Sequence, residues 1–198
     1  MGTMEVEELL TPTVLVPVVA VLVVLIGVVV GVVKIAGGKK TERDIVSWAA
    51  GAYSIWTGGE DSGTWAPERA QRSLGDWYGI TGPGKLWDTI NDLRRGQTGN
   101  PAWDLVRAID ILRIAVAARY IDDESCLTEA SKMGVLLQAR YRSWEELAQA
   151  FEAGMIAWQD RRGVTDPGER GRVQRNLPTL RQGIWPRVRY DARLGPAD

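Results

Sequence analysis

Two ionisable side chains, Asp104 and Arg107, lie within the run Ala102-Trp103-Asp104-Leu105-Val106-Arg107, where charge is expensive. Turning the residues after Pro101 by about 100° each sets both on one side with Ala108, Ile111, Ala115 and Ala118. A second side holds Leu105, Ile109, Leu112 and Val116, and only the sector of Asp110 and Arg113 is clearly polar. A helix that is apolar over most of its circumference belongs at the centre of a domain. Asp104 and Arg107 are therefore expected to be at least half buried and to be paired, because an isolated buried charge costs several kcal/mol. Read structurally, they pair with each other at i,i+3, with Trp N–H groups or with helix ends, and Asp104 meets the free N–H groups of its own first turn. Read functionally, Arg107 is a fork for an anion and Asp104 a base or metal ligand. Perturbed ionisable groups accompany both arrangements, and the structural one is the main expectation.

Composition removes several chemistries. The 198 residues contain no histidine, which excludes Ser-His-Asp and Cys-His nucleophilic machinery and histidine metal sites. One cysteine, Cys126, makes no internal disulfide and fits a reducing compartment. No metal site and no cofactor are expected. With 24 basic against 25 acidic residues, no bulk field points to nucleic acid, and none is expected as a partner. Nine tryptophans against one phenylalanine imply a core of indoles, each of whose N–H groups needs an acceptor.

The remaining charged motifs read as helix punctuation. Asp122-Asp123-Glu124 caps a helix start, and Ser143-Trp144-Glu145-Glu146 has the capping-box pattern. Gly82-Pro83-Gly84-Lys85 resembles a phosphate loop only superficially, since no strand precedes it and no Gly-Lys-Ser/Thr follows. Glu145, Glu146 and Glu152 form a solvated face. The arginines at 161, 162, 170, 172, 175, 181, 187, 189 and 193 are read as a solvated tail able to lie against an anionic leaflet.

The elements that must position these residues are helical. Ile45, Trp48, Ala49, Ala52, Tyr53 and Trp56 make one apolar face, ended by Gly58-Gly59. Pro67 opens a second helix carrying Ala70, Leu74 and Trp77 inward, and residues 81–95 form a third with Leu86, Trp87, Ile90 and Leu93. Asn100-Pro101 starts the Asp104 helix, expected to run to about Ile121. The next carries Leu127, Ala130, Leu137 and Tyr141, and the last Leu147, Ala150, Phe151, Gly154, Met155 and Trp158. Beyond Arg161, residues 174–181 are at best a short helix. The fold class is all-α, about six helices in a compact bundle over residues 41–162. An Arg/Gly/Pro-rich extension, 163–198, is expected to pack partly on it.

Residues 1–12 are short and acidic. The stretch Val14–Val33 carries no charge, the length of one membrane-crossing helix, which sets a transmembrane segment at 13–36 and a linker at 37–40. A cleaved leader fits poorly with acidic residues before the span. Lys34, Lys39, Lys40 and Arg43 follow it, so the positive-inside rule puts the N-terminus outside and the bundle in the cytoplasm, at a bacterial inner membrane. Gly27 and Gly31 have the small-residue spacing for helix association, hence a homo-oligomer through the membrane helix.

Trp77-Tyr78-Gly79-Ile80, Ala102-Trp103-Asp104 with Arg107, Tyr120-Ile121, Gln138, Ser143-Trp144-Glu145-Glu146, and Phe151, Gly154 and Trp158 together resemble the YbeU/YbeR-like bacterial helical domains, domain of unknown function 1266. The likeness runs from Trp48 to Asp160, with an echo at Ile184-Trp185-Pro186. The family's Gly-rich turn is lacking after Tyr120, and the membrane helix looks like an addition. The resemblance implies a helical fold and bacterial origin, and no agreed activity. Candidate polar-core or pocket residues are Trp103, Asp104, Arg107, Gln138, Ser143, Trp144 and Trp158. The preferred function is a membrane-tethered module that engages another protein. Alternatives are an enzyme or small-anion binder around Asp104 and Arg107, and a component of a bacterial competition or envelope system.

Overall fold

In a computed structural model, residues 41–164 and 166–195 are described, and their regular elements are all helices, with no strand among them. Helix α1 covers 41–57, α2 Pro67–Tyr78, α3 Pro83–Arg94, α4 Pro101–Ala117, α5 Asp123–Gln138 and α6 Trp144–Arg162. Two further helices follow, α7 Pro167–Arg170 and α8 Arg172–Gln182, then a 3-10 turn at Trp185–Arg187. No helix among the described residues is long and apolar enough to cross a membrane. The expected span at 13–36, with Gly27 and Gly31, lies outside them.

The central helix is α4, which packs against α2, α3, α5, α6 and the 3-10 turn Ser62–Thr64. Its start is as expected: the Asn100 side chain accepts from Trp103 N at 3.0 Å, and Pro101 follows. Its end is four residues earlier than expected. Arg119 adopts φ 61°, Arg119 N reaches Val116 O and Tyr120 N reaches Ala115 O, both at 2.9 Å. This pair of bonds is a Schellman cap closed by arginine where glycine is usual. No glycine marks the stop, so the sequence pattern runs on past it.

The segment beyond α6 is fastened rather than solvated. Val173, Leu177 and Leu180 are the buried stripe of α8. Asn176 Nδ2 caps the end of α1 by donating to Ile55 O and Trp56 O, each at 3.1 Å. Trp48 Nε1 donates to Tyr190 O at 2.7 Å, Trp144 Nε1 to Val188 O at 3.0 Å and Trp185 Nε1 to Gly51 O at 3.2 Å. Buried indoles need acceptors, and three of the nine use this segment or are carried on it. The Trp144 and Trp185 rings stack 6.0 Å apart at 8°.

An L residue in the left-handed region costs roughly 1 kcal/mol that glycine avoids. Arg119→Gly is therefore expected to raise unfolding stability by about 0.5–1 kcal/mol, measured by chemical denaturation. An unchanged or lower midpoint contradicts the cap.

Candidate functional site

Arg107 lies among aromatic rings. Its ζ carbon is 4.7 Å from the Trp103 ring centroid, 5.5 Å from Tyr78 and 5.9 Å from Trp158. Local structure explains each neighbour. Tyr78 is the last residue of α2, stopped by Gly79 at φ 66°, whose N–H returns to Gly75 O and Leu74 O. Trp103 is in the first turn of α4. Trp158 is on α6, which lies against the start of α4 because Gly154 has no side chain. A Cβ there would stand 2.4 Å from Asn100 Cγ and 2.7 Å from Trp103 Cβ. Asn100 Nδ2 ties the crossing to Ala150 O at 3.2 Å.

Two cavities meet at this guanidinium. One, of about 590 Å³, adds Lys85, Thr98, Asp92, Arg161 and Arg162 to its walls. The other, of about 420 Å³, is bounded by Trp56, Trp103, Glu169 and Arg172. Trp77, Tyr78, Arg107 and Trp158 line both. The cations at the rim are also ring-stacked: Arg162 is 5.0 Å from the Trp158 centroid and Arg172 4.2 Å from Trp56.

Asp104 does not pair with Arg107. Among the described residues no carboxylate lies within 4.0 Å of the Arg107 guanidinium nitrogens. Asp104 is fully buried, and its Oδ2 accepts from Thr98 N at 3.0 Å. Thr98 O in turn accepts from Arg161 at 2.9 Å. Asp104 thus fixes the short strap between α3 and α4 that holds one of the cavity's cations. Its Oδ1 and Trp103 Nε1 are buried without partners. Burial raises the Asp104 carboxyl above its ordinary range, opposed by the Thr98 N–H. Burial lowers Arg107, opposed by Tyr78 and Asp104, and a guanidinium so shifted still carries its charge.

Asp110, expected on the polar sector of α4, is only 4% exposed. The turn Ser62–Thr64 covers it, and Ser62 Oγ donates to its Oδ1 at 3.2 Å. Arg113 stays at the edge and is held by Asp61 at 3.1 Å and Asp123 at 3.7 Å.

The seven candidates divide between two places. Trp103, Arg107 and Trp158 line the cleft and Asp104 supports it. Gln138, Ser143 and Trp144 belong elsewhere. Gln138 Nε2 donates to Tyr190 O and Ala192 O, at 2.5 and 2.9 Å, and Trp144 to Val188 O. Ser143 caps α6, accepting from Glu146 N at 3.1 Å while Glu146 accepts from Arg142 N at 2.8 Å. Sequence reading missed Trp56, Tyr78, Lys85, Arg161, Arg162 and Arg172 as cleft residues, and assigned Trp77 to the core although it is 61% exposed. Trp77-Tyr78 at a glycine-stopped helix end was the available signal. No group of three or more Cys, Asp or Glu side chains among the described residues could hold a metal ion.

Residues 93–189 match the model of a family described as protein of unknown function (DUF1266). The match takes in α4 to α8 and Ile184-Trp185-Pro186, and leaves out α1, α2 and Trp77-Tyr78. No curated protein and no solved structure matches the chain.

Burial pushes the Asp110 carboxyl up to about 7. The unfolded chain releases that proton near pH 4, so the folded state binds the extra proton between pH 4 and 7, and stability falls as pH rises through that window. Asp110→Asn cannot ionise. Relative to the parent it is expected to gain up to about 4 kcal/mol between pH 4 and pH 8, followed by urea unfolding at several pH values. Parallel pH dependences for the two proteins contradict the assignment.

Proposed function

We propose that the domain is a receptor for a small anion, tethered to the bacterial inner membrane with the bundle on the cytoplasmic side. One observation carries the reading: a half-buried guanidinium at the junction of two cavities, with no carboxylate in ion-pair range among the described residues. A planar guanidinium presents a donor fork that matches phosphate or carboxylate. Lys85, Arg161 and Arg162 line the larger cavity against the single carboxylate of Asp92, so the local field favours negative charge although the whole chain has net charge −1. Helix capping accounts for the charged residues at 122–124 and 143–146, but not for Arg107. This favours an anion site over a purely structural or protein-docking role for the polar core. Concave, partly aromatic cavities of this size are where small ligands bind.

The tether rests on the uncharged stretch Val14–Val33 and on the lysines that follow it. Association through Gly27 and Gly31 would add a homodimer in the bilayer. The finer likeness to the YbeU/YbeR-like domains agrees with a bacterial setting.

The test is a titration of inorganic phosphate into the full-length protein in detergent, followed by tryptophan fluorescence. Saturable change is expected from Trp103 and Trp158, weakening as salt is raised. Arg107→Met is expected to abolish it, while Lys85→Ala and Arg162→Ala each weaken it roughly two- to fivefold, the scale of partly exposed charge contacts. No saturable change in the parent, or an Arg107→Met protein that responds like the parent, overturns the reading.

A further inference from the structure

The two cavities differ in chemistry, and the difference names a ligand class. The larger has cations on its walls. The smaller adds Trp56 and Trp103 to the rings of Trp77, Tyr78 and Trp158 that both share, and sets the carboxylate of Glu169 against the one further cation, Arg172. Arg107 stands in the wall common to both. Building on the anion-site reading, we propose that the cleft takes one molecule with a flat heteroaromatic ring joined to a phosphate, of the nucleoside monophosphate type. The ring would occupy the aromatic side and the phosphate the basic side.

Trp77 is the second support. It is 61% exposed, the one aromatic among the exposed large hydrophobic residues described, and it lines both cavities. It packs edge-on to Trp65 at 6.0 Å and to Tyr78 at 6.4 Å, which leaves indole surface open at the mouth. An open indole face is a stacking platform for any flat base. Glu169 lines the ring side, and its carboxylate, which accepts from Gln159 Nε2 at 3.0 Å through Oε2, has further lone pairs suited to an exocyclic amine. Volumes of about 420 and 590 Å³ hold a ring and a hydrated phosphate. A single strand of nucleic acid is the weaker fit. It needs a run of open stacking faces along a basic track, whereas here one ring is open and the others are half-buried or buried in the cleft.

The experiment compares binding of the four ribonucleoside monophosphates, adenosine, inorganic phosphate and an oligothymidylate to the full-length protein in detergent, by calorimetry. At least one monophosphate is expected to bind ten times or more as tightly as either adenosine or phosphate. Trp77→Ala, at an exposed position, is expected to remove that monophosphate's tenfold advantage over phosphate, both being measured on the variant, and a variant that keeps the advantage overturns the proposal. Phosphate that binds as well as every monophosphate keeps the anion site and overturns the ring-bearing ligand. Absence of binding by all of them overturns both. An oligothymidylate tighter than every monophosphate also overturns the proposal, in favour of a nucleic-acid site.

Discussion

A guanidinium cannot shed its proton and gains little from leaving water, so the aromatic packing around Arg107 is the constraint on which the domain's polar interior depends. Three rings from α2, α4 and α6 take the place of part of the water around it. Each ring face offers an electrostatic contact worth about 0.5–2 kcal/mol, depending on desolvation, which offsets part of the cost of burial but leaves the charge unneutralised. The arrangement needs three helix ends to converge. Gly79 stops α2, Asn100 and Pro101 start α4, and Gly154 lets α6 approach. Asp104, three residues away on the same helix, is directed to Thr98 and so braces the wall of the cleft rather than neutralising the cation.

The same economy of indoles organises the other side of the domain. Trp48, Trp144 and Trp185 would be costly to bury without acceptors, and unlike Trp103 they find them, in carbonyls of Tyr190, Val188 and Gly51. The C-terminal segment is therefore part of the core. Leu194 is 2% exposed, and Gln138 fixes the carbonyls of Tyr190 and Ala192. The Arg-rich character of this stretch reflects its outward faces: Arg181 meets Glu145 at 3.8 Å and Arg189 meets Asp191 at 2.8 Å.

The six long helices were legible in the sequence because apolar spacing and caps agree at Asn100, Asp122 and Ser143, whose side chains all accept from the expected N–H groups. Three things were not. The stop of α4 at Arg119 lacks the glycine that usually signals it. Asp110 reads as surface because nothing local announces that residues 62–64 fold over it. Trp77 reads as core because periodicity places a side chain on a face without saying whether a neighbour covers that part of the face. Of the site, Trp103, Arg107 and Trp158 were visible as buried or aromatic oddities on helices. The cations Lys85, Arg161, Arg162 and Arg172 join them only through tertiary convergence, which spacing along one helix does not encode. Asp104 and Arg107 were expected as partners because i,i+3 permits contact, yet Asp104 turns to the Thr98 N–H and Arg107 to the rings of Tyr78, Trp103 and Trp158.

The central claim is that Arg107 is retained for a ligand at the expense of stability. The most direct measurement is the melting temperature of full-length Arg107→Met beside the parent, each with and without saturating phosphate. Replacing a half-buried charge that no carboxylate neutralises with an apolar side chain of similar length is expected to be neutral or stabilising. The account predicts a variant that melts at or above the parent without phosphate and does not shift when phosphate is added, while the parent rises. A variant that melts well below the parent, or that shifts with phosphate as the parent does, contradicts it.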